Sequence, residues 1–213
     1  MAKRQLEIRR MDQKDKNMLE HLAHVAVATP EQIQRMFTVN PQRMAQSEYT
    51  GYIKLEDKLV LGQERSIASL TDRGKEYCKA EGIVAPDYQF PIWNTNALPH
   101  DLLMGELKGI LPSIENWRTE NMVKNDMRAE RNLEFDTKIR SLDATFEISR
   151  EDYLKMEEEY GDRVTFINFK TDLPDTLICG CEAIGDSYSP ETCQMKIDAG
   201  QSHCDVMILA ERG

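Results

Sequence analysis

The stretch from Thr29 to Glu81 constrains this chain most, because its start and stop signals set the order of several short elements. Thr29-Pro30-Glu31-Gln32 is a capping box. Thr29 can accept from the amide of Gln32, whose side chain reaches back, and Pro30 falls on the first helical position, where a missing N–H costs nothing. Ile33, Met36 and Phe37 then follow at i, i+3, i+4, the stripe of a short helix. Asn40-Pro41 repeats the start signal after a tight turn and opens a second helix, to about Thr50.

At about 100° per residue the second helix divides. Arg43, Gln46, Ser47 and Thr50 share one face, while Met44, Ala45, Tyr49 and Tyr52 take the other, with Glu48 a misfit among them. Arg, Gln, Ser and Thr all reach base edges or phosphates from a helix in the major groove. The same pattern also describes the solvated face of an ordinary amphipathic helix. Gly51 stops the helix, and Tyr52-Ile53-Lys54-Leu55 begins an alternating segment. After a polar break at Glu56-Asp57-Lys58 come Leu59-Val60-Leu61, a turn over Gly62 to Arg65, and a returning strand Ile67 to Leu70. Thr71 caps a helix from Asp72 to Lys79, with the acid in its first turn and the base in its last.

Helix, turn, helix, β-ribbon, helix is the order of a winged helix-turn-helix. The run resembles the MarR-type winged helix, in which a glycine ends the recognition helix and Leu-Thr-x-x-Gly closes the wing; those residues here are Gly51, Leu70, Thr71 and Gly74. The resemblance spans roughly residues 12–81. It implies DNA contacts from Gln42, Arg43, Gln46, Ser47 and Thr50 on the helix and from Lys54, Lys58 and Arg65 on the ribbon.

Charge supports a division of the 213 residues. The net charge is −10, yet residues 1–80 hold 14 Lys/Arg against 11 Asp/Glu, and residues 81–213 hold 13 against 26. The acidic part would repel a phosphate backbone, so DNA contact is expected from the first part. The expected domains are therefore a winged helix over 1–81, a packed connector over 82–98 and an acidic α/β domain over 99–213. The fold class is α+β (mixed α/β). With 40% hydrophobic and 30% charged residues, and no apolar run near the ~20 residues of a span, neither a membrane segment nor a secretory signal is expected. The cytoplasm is the expected compartment.

Ahead of the capping box, Met11, Met18, Leu22 and Val25 mark a first helix from about Asp12 to Ala26. His21 and His24 on it are expected to be packed rather than metal ligands. Lys3, Arg4, Arg9 and Arg10 form either a basic arm along DNA or a solvated terminus. Tyr88, Phe90, Ile92 and Trp93 make the connector too apolar to be free. Beyond it, a helix opens at Pro99-His100-Asp101 and a strand covers Ile114 to Glu120, its alternation slipping by one. A polar stretch from Asn121 to Arg140 reads as a helix or an excursion near the surface, and a strand covers Leu142 to Ile148. A helix capped at Ser149 follows, then strands over Val164–Phe169, Leu177–Ile184 and Val206–Leu209. The segment between the last two is unassigned.

His100-Asp101-Leu102, Trp117-x-x-Glu120 and Asp143-Ala144-x-Phe146, in that order after a winged helix, are similar to the replication-relaxation family of plasmids and other mobile elements. That resemblance implies a second domain like a degenerate restriction-endonuclease core. Such a core needs carboxylates on adjacent strand ends for Mg²⁺ and a lysine to position water. Glu120 and Asp143 supply two carboxylates, but the expected Glu-x-Lys reads Glu182-Ala183-Ile184. No catalytic residues are therefore assigned. Cys179, Cys181, Cys193, His203 and Cys204 could be weighed as zinc ligands, but Cys-x-Cys lacks knuckle spacing, so reduced buried thiols and no bound metal or cofactor are expected.

The expected function is a DNA-binding, non-enzymatic regulator of transcription, replication or transfer, of a plasmid, phage or other mobile element. Its partners are duplex DNA and, for the acidic domain, a protein or a second copy in a homodimer. The alternative is a protein-interaction module on a winged-helix scaffold, with an acidic partner-binding domain.

Overall fold

A computed structural model describes residues 10–110, 114–131, 141–184 and 188–211. The protein is mixed α+β with two sheets, and it divides into two compact units, Met1–Gly109 and Ile110–Gly213. The expected basic positions Lys3, Arg4 and Arg9, and the end of the polar stretch over 132–140, lie outside the described residues. Among the described residues no helix is long and apolar enough to cross a membrane.

In the first unit α1 (Gln13–Val25) begins at a capping box in which Asp12 and Asp15 exchange amide bonds. A short strand β1 (Val27–Ala28) leads to α2 (Pro30–Phe37), whose Thr29–Gln32 box forms as the residue pattern predicts. Helix α3 (Pro41–Thr50) is capped by Asn40 and closed by Gly51 at φ 83°. Strands β2 (Ile53–Val60) and β3 (Gln63–Leu70) pair antiparallel, and β1 joins the far edge of β3. The expected polar break at Glu56-Asp57-Lys58 is continuous strand, since a ribbon with little burial along its length accommodates polar residues. The hairpin turn is also tighter than expected: Leu61 and Gly62, both at positive φ (51° and 77°), make a two-residue connection that matches strand twist.

Helix α4 (Asp72–Ala80) starts from Thr71, whose hydroxyl receives the Gly74 amide at 3.0 Å. Gly74 has a steric reason to lack a side chain, because a Cβ there would lie 2.0 Å from the Tyr52 carbonyl oxygen. Gly74→Ala must displace backbone, so a loss of about 1–3 kcal/mol is expected in urea unfolding of the full chain.

Met18, Leu19 and Leu22 of α1 and Ile33 of α2 are fully enclosed. The expected boundary near residue 81 does not separate the units. Tyr88 is buried and packs at a tilt against His24 of α1, its ring centroid 5.8 Å away. Helix α5 (Leu98–Ile110), expected in the second domain, packs on the first unit through residue 109: Leu98 and Leu102 share a core with Ala26, Val27, Val60 and Ile67. The Gln32 amide donates to the Leu102 carbonyl (3.2 Å) and to Glu106 (2.7 Å). Apolar side chains in a segment called a connector have to be buried somewhere, and here the sheet and α1 bury them.

Among the described residues the second unit holds five strands in the order β4-β5-β7-β8-β6. These are β4 (Glu115–Thr119), β5 (Ala144–Ser149), β6 (Thr165–Asn168), β7 (Thr176–Ile184) and β8 (Val206–Glu211). Only β7 and β8 are parallel, and α8 (Pro190–His203) connects them; α6 (Glu120–Arg131) follows β4, and α7 (Arg150–Tyr160) follows β5. The slip of alternation in β4 is a bulge, with the register shifting between Glu115 and Arg118 and Asn116 at φ 50°. Helix α8 fills the segment left unassigned. Ser189-Pro190, a cap followed by proline at the first helical position, is the signal that identifies it.

Candidate functional site

Two groups of polar side chains stand out, one in each unit. On α3 the solvent face is not the one the polar residues mark. Met44, Ser47 and Thr50 are buried, with Ser47 at 0% and Thr50 at 8% exposure, and Pro41, Gln42, Ala45, Glu48 and Tyr49 are exposed. The helix is turned so that small hydroxyl residues face inward and Tyr49 faces out at 64%. Thr50 satisfies its hydroxyl locally by donating to the Gln46 carbonyl at 2.7 Å, so enclosing it costs little.

Arg43 is also occupied. Its Nε donates to both carboxylate oxygens of Asp15 (2.9 and 3.1 Å), and its guanidinium also reaches the Arg10 carbonyl at 2.7 Å. Asp15 has no exposed side-chain surface. The expected DNA-facing set on α3 therefore separates. Ser47 and Thr50 are interior, Arg43 clamps α3 to α1, Gln46 is half-buried and Gln42 is exposed. Tyr49 was missed because an aromatic residue reads as core.

On the ribbon Lys54 and Arg65 are exposed and Lys58 is half-buried. Glu56 sits between the lysines, 2.7 Å from Lys54 and 3.5 Å from Lys58. Trp93 lies under both, with their ammonium groups 6.0 and 5.8 Å from its ring centre. Lys58 and Arg65 stand directly opposite each other across the hairpin. Counted to the observed boundary, residues 1–109 carry 15 Lys/Arg and 15 Asp/Glu, so the first unit is neutral and the −10 belongs to residues 110–213.

The second group lies at one end of the five-stranded sheet. The register pairs Thr119 with Ala144 and Ala144 with Cys181, which sets Asp143 beside Glu182 on neighbouring strands and brings Glu120 to the same end. The two neighbours interlock: the Asp143 amide donates to Glu182 Oε2 (3.2 Å) and the Ala183 amide to Asp143 Oδ2 (2.9 Å). Ile184 occupies the position where the strand lacks its lysine, but Lys196 of α8 supplies an ammonium instead. Its Nζ is 2.7 Å from Glu182 Oε1, 3.8 Å from Asp143 Oδ1 and 2.7 Å from the Ser141 carbonyl. Tyr188 donates to Glu182 Oε1 at 3.0 Å. Exposure is 1% for the Glu182 side chain, 10% for Asp143 and 15% for Lys196.

Burial, and then the adjacent Asp143 charge, push Glu182 up to about 7. Burial works against the Lys196 charge, but Asp143 and Glu182 together outweigh it and raise its pKa. Glu120 pairs with Lys124 at 2.6 Å and acts on Lys196 through its charge.

The cysteines do not converge. Cys179 and Cys181 are enclosed on one face of β7, whereas a Cβ on Gly180, which points to the other face, would lie 3.0 Å from Cys204 Sγ. Burial raises the pKa of all three, to about 12 for Cys204, so they are protonated thiols. Among the described residues no three His, Cys, Asp or Glu side chains group as a metal cage. His21 is buried and His24 half-buried, and burial pushes His21 down to about 3 and lowers His24 as well. The chain matches no protein-family model, no curated protein and no solved structure.

Proposed function

We propose that the chain binds duplex DNA through its first unit, used as a winged helix, and regulates transcription, replication or transfer of a plasmid, phage or other mobile element. The observation that carries this reading is the outward face of α3, followed directly by a ribbon on which Lys58 opposes Arg65. Like charges facing across a hairpin are unfavourable on their own. A phosphate between them turns that repulsion into attraction. On this reading Gln42 and Tyr49, both exposed on α3, contact base edges and the sugar-phosphate backbone.

A second reading, a protein-interaction module, is favoured by the neutrality of the first unit and by Leu59 and Leu61, 68% and 71% exposed at the ribbon tip. Titrating a labelled random duplex with the full chain at several salt concentrations separates the two. DNA binding is expected to weaken steeply with salt, and the double variant Lys58→Ala/Arg65→Ala to reduce the log–log slope by about 2. Gln42→Ala/Tyr49→Ala should lower affinity about tenfold or more. Absence of salt-dependent binding would leave the interaction module as the function.

A further inference from the structure

We infer that Glu48 is a base-reading residue of the first unit, a carboxylate that recognises the exocyclic amine of a cytosine in the major groove. This names what the outward face of α3 selects, and it rests on the DNA-binding reading of that unit. Glu48 is the polar residue that falls among the apolar positions of α3 in the sequence.

Folding puts that residue on the open side of the helix. Pro41, Gln42, Ala45, Glu48 and Tyr49 are exposed, and no Lys or Arg is among them. The cation of this helix, Arg43, is held by Asp15 instead. At about 100° per residue Ala45 is central on the exposed face, with Pro41 and Glu48 to one side and Gln42 and Tyr49 to the other. A small residue at the centre lets a helix lie close to base edges. The Glu48 carboxylate is also fixed in place. Its Oε1 accepts the Leu55 amide at 3.1 Å, and β2, which carries that amide, is an edge strand. Among the described residues this is the one hydrogen bond of the Glu48 side chain, and it forms no ion pair. Asp15 and Glu56 in the same unit are each paired with a cation.

A carboxylate without a cation on a surface that meets DNA weakens binding to every sequence alike. Affinity therefore gives no reason for it, but selectivity does. An ionised carboxylate only accepts hydrogen bonds, and the major groove offers it donors from cytosine N4 and adenine N6 alone. The adenine amine lies between two acceptors, its own N7 and O4 of the paired thymine. The cytosine amine has an acceptor on one side only, O6 of the paired guanine, so a carboxylate is repelled least there. Guanine N7 and O6 and thymine O4 repel it outright. The Leu55 amide holds Oε1 and leaves Oε2 to take the base amine.

The test selects bound sequences from a random duplex library with the full chain, for wild type and for Glu48→Gln. Glutamine keeps an acceptor for the Leu55 amide, so the fold and the tether to the ribbon survive, and it suits adenine N6 and N7 instead. Wild type is expected to enrich a cytosine whose replacement by guanine weakens binding about tenfold or more. Glu48→Gln should move the preference at that position to adenine and leave the rest of the selected sequence unchanged. Glu48→Ala should lose the preference there and bind unselected duplex more tightly than wild type does, because the repulsion is gone. A residue that only ties α3 to the ribbon would leave the selected bases the same in wild type and Glu48→Gln. That result, or binding that enriches no sequence, overturns the role of Glu48 while the DNA-binding reading stands. A wild-type chain that binds no duplex at any salt concentration overturns both.

Discussion

Lys196→Met is expected to destabilise the second unit by about 3–5 kcal/mol at pH 8. The lysine is the one cation within ion-pairing distance of both Asp143 and Glu182 among the described residues, and Glu182 is 1% exposed. Replacing the ammonium by a methyl thioether fills similar space but leaves two carboxylates facing each other in a low-dielectric setting.

The loss should depend on pH in a stated direction. Glu182 already titrates near 7 in the folded chain against an ordinary value of 4.5. The folded state therefore binds its proton more tightly, and stability from this group is present below 4.5 and lost as pH rises toward 7. Removing Lys196 raises the Glu182 pKa further. At pH 5 the variant keeps Glu182 protonated and should lose much less than at pH 8. Urea unfolding at the two pH values measures this, and equal losses at both would show that Glu182 carries no proton-linked strain.

Arg43→Ala is expected to cost about 2–3 kcal/mol, for a reason unrelated to DNA. Asp15 is fully enclosed and receives the Arg43 Nε on both oxygens, while the guanidinium also ties down the Arg10 carbonyl. Without it, Asp15 keeps the Asp12 amide as a partner, so the cost falls below that of breaking a fully isolated buried pair. Arg43→Lys restores a charge but not the fork, and should recover part of the loss. The double variant Asp15→Asn/Arg43→Ala should be more stable than Arg43→Ala, because it removes the stranded charge. The readout is the urea midpoint, with DNA affinity measured on the folded fraction. An Arg43→Ala protein as stable as wild type but weakened toward DNA would return this residue to the recognition surface.

These two residues mark where local pattern stops being informative. Capping boxes, prolines at first helical positions and glycine stops act within four residues. Thr29–Gln32, Asn40-Pro41, Gly51 and Thr71 accordingly lie where the spacing predicts, and the order α2, α3, β2, β3, α4 follows from them, whereas the two-residue β1 carries no such signal. Even the slipped alternation of β4 was visible, as a bulge that inserts a residue. The rotation of α3 was not. A helix of ten residues carrying Arg, Gln, Ser and Thr on one side and Met, Ala and Tyr on the other reads as polar-out. Enclosure instead selected Ser47 and Thr50, whose small side chains fit, and turned Tyr49 to solvent. Polarity predicts burial only when side-chain volume does not decide it.

The sequence by itself determined the starts and stops of α1 to α4, the hairpin and the mixed α+β class, because each is set by hydrogen bonds and backbone preferences over a few neighbouring residues. Tertiary structure alone decided the unit boundary after Gly109, since nothing local says that α5 will share a core with Val27 and Ile67. It alone brought Lys196 to Glu182. Sheet register fixes which strand residues are neighbours, and the connection through α8 from β7 to the parallel β8 carries the lysine back over the sheet. A search for lysine two positions along the strand had to miss it, because an ion pair depends on distance in space and not on separation along the chain.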